Sequence, residues 1–206
     1  MMFQETNPEH RERTFNNRIL ICDDNQDLHQ DFIKILNTPP RSEVEVELNH
    51  IENELFKDDP EYRRRGDHHV QFRVDSAFQG KQALRMAELA HEEGDPYAIV
   101  FMDVRMPPGW DGVLTIERIW RKMPYTEAVI VTAYSDYSWD EMIDKLGVND
   151  KLLFIKKPFD TLTIKQLALN LTNKWNLAKR AREHIAEMER ELKTRIDLLD
   201  RTIRGM

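Results

Sequence analysis

Residues Asp103 to Gly112 read DVRMPPGWDG, and the way this stretch begins decides the fold. The apolar run Ala98 to Met102 precedes it and stops abruptly at an acid. Five consecutive apolar residues bounded by turn signals read as a strand buried on both faces. The chain then turns through Pro107, Pro108 and Gly109. An acid at the carboxyl end of a buried strand lies where open α/β sheets bind ligands. Asp103 alone reads better as an acidic turn residue or helix cap. Other strand ends along the chain change that balance.

Working outward, Arg18 to Cys22 (RILIC) reads as a first strand, ended by Asp23, Asp24 and Asn25. Leu28, Phe32, Ile35 and Leu36 recur at helical spacing until Pro39 and Pro40. Val70, Phe72 and Val74 alternate as a second strand, and a helix from Gln79 to Glu93 follows. After Asp103, Asp111 can cap a helix through Lys122. Ala128 to Val131 forms a fourth strand ending at Thr132, with a helix from about Ser138 to Leu146 behind it. Leu152 to Ile155 forms the fifth, ending at Lys156, Lys157 and Pro158. A last helix starts near Thr161 and meets no breaker until Gly205. Strand and helix alternate five times, which implies a five-stranded parallel, doubly wound α/β sheet. Residues 1–17 read as a flexible N-terminal tail, and 41–69 as a polar insertion after the first helix. His68 and His69 fall in that insertion, where adjacent histidines make a poor metal pair and a solvated loop is expected.

Bulk properties narrow the classes. Lys and Arg total 30 against 37 Asp and Glu, a formal charge of −7, which gives no support for a nucleic-acid surface. The one cysteine, Cys22, excludes an internal disulfide and sits in an apolar run as an inert thiol. Neither a signal peptide nor a membrane span is recognisable, so no membrane partner and a cytoplasmic location are expected. No glycine-rich phosphate loop of the common types is present.

Chemically loaded groups therefore stand at four strand ends: Asp23 with Asp24, Asp103, Thr132 and Lys157. In a parallel sheet all carboxyl ends share one edge, so these groups can converge. Three crowded carboxylates repel unless a cation sits among them, and oxygen-only ligands suit Mg2+. A carboxylate can attack phosphorus to form an acyl phosphate. That step needs the phosphoryl oxygens neutralised, by the metal and by the Lys157 ammonium, with Thr132 as a hydrogen-bond donor.

The stretches ILICDDN, SAFQGKQAL, VFMDVRMPPGWDG, VIVTAY and FIKKPF, in this order, resemble the response-regulator receiver domain of two-component signalling. The resemblance runs from about Arg18 to Trp175, excluding the insertion. It implies a flavodoxin-like fold with Asp103 as phosphoacceptor. It implies Mg2+ held by Asp23, Asp24, Asp103 and the Arg105 carbonyl, and phosphoryl contacts from Thr132 and Lys157. Phe154 matches the family's switch aromatic, acting with Thr132, although an ordinary core phenylalanine fits the same position. Arg105 and Tyr134 occupy the positions that tune acyl-phosphate lifetime, and the Lys157–Pro158 bond is expected to be cis. The implied partner is a sensor histidine kinase or phosphotransfer protein. The chain would be no enzyme beyond its own phosphorylation and dephosphorylation. The insertion roughly doubles the usual distance to the second strand, and the MPPGWDG loop is one residue longer than the common pattern. MPPGWDG and TAYSDYSW narrow the resemblance to receivers at the N-terminus of larger bacterial signalling proteins, which continue into kinase or cyclic-dinucleotide domains. Two rivals remain: a receiver used only as a dimerisation scaffold, and a Mg2+-dependent aspartyl phosphatase. The second expects Asp-x-Asp after the first strand, where this chain has Asp23, Asp24, Asn25.

The last helix carries its own signal, and 171–206 reads as a coiled-coil segment behind a domain spanning 18–170. Leu171, Ala178, Ile185, Leu192 and Leu199 recur every seven residues, with Ala181 and Met188 in the second seam position. From Ile185 the apolar steps run through Met188, Leu192, Ile196, Leu199 and Ile203, a stutter in the heptad. A homodimer through a parallel coiled coil from about Trp175 to Ile203 is the expectation.

Overall fold

The computed structural model describes residues 15–37, 71–133, 139–147 and 149–204. Most of the expected tail, all of the insertion with His68 and His69, and Tyr134 lie outside them. Five strands form one parallel sheet: β1 Arg18–Cys22, β2 Arg73–Ala77, β3 Ile99–Asp103, β4 Glu127–Thr132 and β5 Leu152–Lys156, in the order β2-β1-β3-β4-β5. The helices are α1 Gln26–Asn37, α2 Gly80–Glu92, α3 Gly112–Lys122, α4 Trp139–Leu146 and α5 Thr161–Arg204.

Strand alternation splits the core in two. Leu20, Cys22, Val100, Met102, Ala128 and Ile130 face one way, toward Ala83 and Ala87 of α2 and Val113, Ile116 and Ile119 of α3. Ile19, Ile21, Ile99, Phe101, Val129 and Val131 face the other, toward Phe32 and Leu36 of α1 and Ile164, Ala168 and Leu171 of α5. β1, β3 and β4 are covered on both faces, which is why they read as unbroken apolar runs.

β2 lies three residues later than the alternation of Val70, Phe72 and Val74 suggests. It is an edge strand and carries Asp75 and Ser76, which hydropathy does not mark as strand. Tertiary partners accommodate the acid: Arg18 Nε and the Tyr97 hydroxyl donate to Asp75 Oδ2 at 2.9 and 2.8 Å. Asn16, expected in the tail, is buried and bonded to α5: its N–H donates to Asn176 Oδ1 at 2.9 Å, and Asn176 Nδ2 donates to its carbonyl at 2.8 Å.

α5 is one helix of 44 residues, about 66 Å at 1.5 Å per residue. Ile164, Ala168, Leu171 and Trp175, spaced four, three and four, bury one stripe against the sheet. Leu171 is thus a core residue, 6% exposed, and not the first member of a free seam. The packed part of the helix runs past residue 170 to Asn176. Lys174 reaches the buried Glu127 at 3.1 Å, and the Arg182 guanidinium lies 3.7 Å from the Tyr125 ring centroid. Beyond that ring nothing among the described residues covers the helix.

Candidate functional site

Asp103 ends β3 and is 7% exposed; Asp23, just past β1, is 2% exposed. β1 and β3 are hydrogen-bonded neighbours in the sheet, so their ends place the two acids side by side. Lys157 follows β5 from the far side of β4, across a Lys157–Pro158 bond that is cis as expected. Its ammonium lies 2.7 Å from Asp23 Oδ2 and 2.6 Å from Asp103 Oδ1. The backbone completes each carboxylate's shell: Asn25 N donates to Asp23 Oδ1 at 2.8 Å, and Arg105 N to Asp103 Oδ2 at 2.8 Å.

Gly112 opens α3 and packs against the carbonyl of Asp103. A Cβ at that position would stand 2.0 Å from the Asp103 oxygen and 2.8 Å from Met102 Cγ. The absence of a side chain lets the helix start come this close, a use of glycine that needs no unusual φ. Asp111 caps the same helix as expected, its Oδ1 accepting from Leu114 N at 2.7 Å.

Burial pushes the Asp103 carboxyl above its ordinary range, outweighing the Lys157 ammonium that pulls it down. For Lys157, burial acts to lower the value, but hydrogen bonds to Asp103 and Asp23 prevail and hold the ammonium above its usual range. The Cys22 thiol is pushed up to about 12, mainly by burial and further by Asp23. It lies 3.3 Å from Met106 Sδ, so the expectation of an inert thiol fits its surroundings.

Two carboxylates, not three, gather around the lysine. Asp24 is exposed at the rim, and among the described residues no group of three or more His, Cys, Asp or Glu forms a metal cluster. The cation between Asp23 and Asp103 is Lys157 itself. Thr132 ends β4 half-buried, its hydroxyl donating to the Ala133 carbonyl at 2.8 Å, while its own carbonyl accepts from Lys157 N at 2.9 Å. Phe154 is half-buried against the α2–α3 core. Arg105 is exposed.

One residue at this site escaped the sequence reading. His29 is 3% exposed and its Nε2 lies 2.8 Å from the Asp23 carbonyl. The buried residues of α1 are His29, Phe32 and Leu36, whereas Leu28 and Ile35 are half-buried. The spacing 29, 32, 36 was legible, but a histidine does not register as apolar.

The family model of the response regulator receiver domain matches residues 58–169, more than half of the chain. This chain belongs to the response regulator receiver family. The matched residues of this receiver include Asp103, Thr132 and Lys157; β1, with Asp23 and Asp24, precedes them and joins them through the sheet and the Lys157–Asp23 ion pair. The receiver is 28% identical over 123 residues to the osmosensing histidine protein kinase SLN1 of Saccharomyces cerevisiae, a stretch covering 59% of this chain and 9% of that protein. Among solved structures it is similar to adenylate cyclase from Rhodopirellula baltica (TM-score 0.55, 19% identity, 83% of this chain and 98% of that one). It is similar also to the signal receiver domain of an HD domain-containing protein from Pseudomonas fluorescens Pf-5 (0.53, 18%, 82% and 95%). A CheY-like receiver domain protein from Methanospirillum hungatei JF-1 gives 0.51 at 16%, covering 79% and 98%. At these identities the structures speak for the fold alone. It is a receiver of two-component signalling, and none of its described helices is long and apolar enough to cross a membrane.

Proposed function

We propose that this receiver accepts a phosphoryl group on Asp103 from a histidine kinase or phosphotransfer protein. The observation that carries the reading is the single ammonium of Lys157 held between two buried carboxylates from different strand ends, 2.6 Å from Asp103. A carboxylate oxygen of Asp103 attacks phosphorus, the bond to the donor breaks, and the donor's group leaves with the electron pair. Asp103 is well placed for this because Arg105 N and Lys157 fix its plane. Lys157 then follows the incoming negative charge as a counter-ion, and Thr132, whose carbonyl accepts from Lys157 N, supplies a hydroxyl from the end of the neighbouring strand.

The donor chemistry fits Mg2+. Asp23 and Asp103 bring two negative charges against the one ammonium, and Asp24 at the rim adds a third, all through oxygen. Asp23, Asp24, Asp103 and the Arg105 carbonyl would hold the ion, which supplies further positive charge where the phosphoryl oxygens accumulate it. On this reading the chain catalyses only its own phosphorylation and dephosphorylation. The test is intact-protein mass after incubation with acetyl phosphate and Mg2+: one phosphoryl group adds, chelation abolishes it, and Asp103→Asn removes it. Equal labelling of Asp103→Asn sinks the proposal, and steady-state hydrolysis of a phosphate ester would favour the phosphatase rival.

The signal leaves through α5 and a second copy of the chain. Ile185, Met188, Leu192, Ile196 and Leu199 are each at least half exposed, at steps of three and four. Ala178 is half-buried and Ala181 exposed, upstream on the same seam. Ile203 would continue it. A stripe this long normally finds a partner, and a helix of the same repeat is its natural complement. That geometry would place both receivers at one end and pass a change at Asp103 to an output domain as relative helix rotation.

A further inference from the structure

Among the described residues, His29 is the one buried polar side chain beside the site that phosphoryl transfer leaves without a task. It lies on the first turns of α1, 3% exposed. Its ring packs on Phe78, just beyond β2, with centroids 4.6 Å apart. A carbonyl only accepts, so the contact of Nε2 with the Asp23 oxygen at 2.8 Å places the ring hydrogen on Nε2. Nδ1 is buried, with no partner among the described residues. Stranding a polar atom is costly, and a phenylalanine or leucine would fill the same space without doing so. The hydrogen bond from Nε2 is what a histidine provides there and an apolar side chain does not.

That bond falls on the peptide joining Asp23 to Asp24. The peptide is planar, so holding its oxygen sets both the ψ of Asp23 and the φ of Asp24. Asp23 is already tied down: its N–H donates to the Ala77 carbonyl at 3.2 Å, and its carboxylate takes Asn25 N and Lys157. Asp24 is exposed, and its carboxylate has no hydrogen bond or ion pair with a described residue. The direction in which it leaves the loop depends on the peptide before it.

We propose that His29 is a positioning residue for the acidic loop: by holding the Asp23–Asp24 peptide it aims Asp24 toward the cation side of the site. This inference rests on the Mg2+-dependent phosphoacceptor reading. The test uses the full chain and compares His29→Phe with His29→Gln, whose Nε2 can reach the same oxygen. Three quantities are read: Mg2+ affinity by calorimetry without phosphodonor, labelling by acetyl phosphate across Mg2+ concentrations, and the metal-free thermal midpoint. Groups that hold metal ligands in place typically contribute about 10–100-fold in affinity. His29→Phe should weaken Mg2+ by about tenfold, slow labelling at low Mg2+ and recover it at saturation, with a midpoint close to wild type. His29→Gln should restore affinity to within about threefold, a smaller loss than removing the donor outright. Asp24→Asn added to His29→Phe should cost less than Asp24→Asn alone, because both act through one ligand. Should His29→Phe fail to fold, His29→Asn carries the same comparison, its amide being too short to span to the oxygen. Wild-type affinity in the Phe or Asn variant, or equal losses in the Gln and Phe variants, overturns the positioning role. A wild-type chain that neither binds Mg2+ nor labels overturns the underlying reading instead, before any variant is compared.

Discussion

Replacing Lys157 with methionine takes away the cation that Asp23 and Asp103 share while keeping the length of the side chain, so no large cavity opens. The two carboxylate side chains are 3% and 9% exposed, and that of Lys157 is 27% exposed. Breaking a buried ion pair by removing one partner costs about 3–5 kcal/mol. Water reaches the lysine, so the low end applies, about 3 kcal/mol. At about 2–4 °C per kcal/mol for a chain of this size, the midpoint should fall by roughly 6–12 °C. The charge origin of the loss gives it a pH signature. Burial already raises the Asp103 carboxyl, and without Lys157 the like charge of Asp23 raises it further. A folded-state value above the unfolded one means stability that is present at acid pH and lost as pH rises through the folded value. The deficit of Lys157→Met should therefore be largest at neutral pH and shrink in acid. Mg2+ should also stabilise the variant: a ligand at 100 times its Kd contributes about 2.7 kcal/mol. Urea unfolding at neutral and acid pH, with and without Mg2+, measures all three terms. A deficit that is the same at both pH values and indifferent to Mg2+ would refute the reasoning, leaving the lysine a packing role only.

Asp103→Asn removes the desolvated carboxylate, so stability at neutral pH should stay level or rise while acid stability loses its Asp103-linked part; a neutral-pH loss above about 2 kcal/mol in urea melts contradicts the direction of the Asp103 shift. Gly112→Ala drives a Cβ into the Asp103 carbonyl, a contact of 2.0 Å that backbone must relieve. Overpacking of this kind costs about 1–3 kcal/mol, and labelling should slow with it, whereas Gly94→Ala at a positive φ far from the site should cost stability without touching labelling. Ile185→Asp with Leu192→Asp should convert a dimer to monomer in light scattering at about tens of micromolar, with Asp103 labelling unchanged. A wild-type chain that is already monomeric, before and after phosphorylation, rules the dimer out.

Much of this receiver is written locally. The runs RILIC, AIVFM and AVIV are apolar because β1, β3 and β4 are covered on both faces, and that environment leaves a mark any single strand can show. Asp103, Thr132 and Lys157 were legible because each stands where such a run stops. Asp111 before a helical period announced its cap, and the exposed apolar stripe beyond Ile185 is a period in one helix. Other features exist only once the sheet is assembled. β2 is an edge strand whose Asp75 is held by Arg18 and Tyr97, residues distant in sequence, so its position was misread. Leu171 fits a heptad and a sheet-facing stripe equally well, and only its burial in the core cluster that includes Phe32 and Ile164 assigns it to the core. Asn16 pairs with Asn176 across 160 positions. That Lys157 joins Asp23 to Asp103 while Asp24 stays at the rim, and that His29 turns inward to the Asp23 carbonyl, are matters of direction. Sequence spacing determines which residues reach the sheet edge. Which way they then point is decided by the neighbouring strands and helices that meet them there.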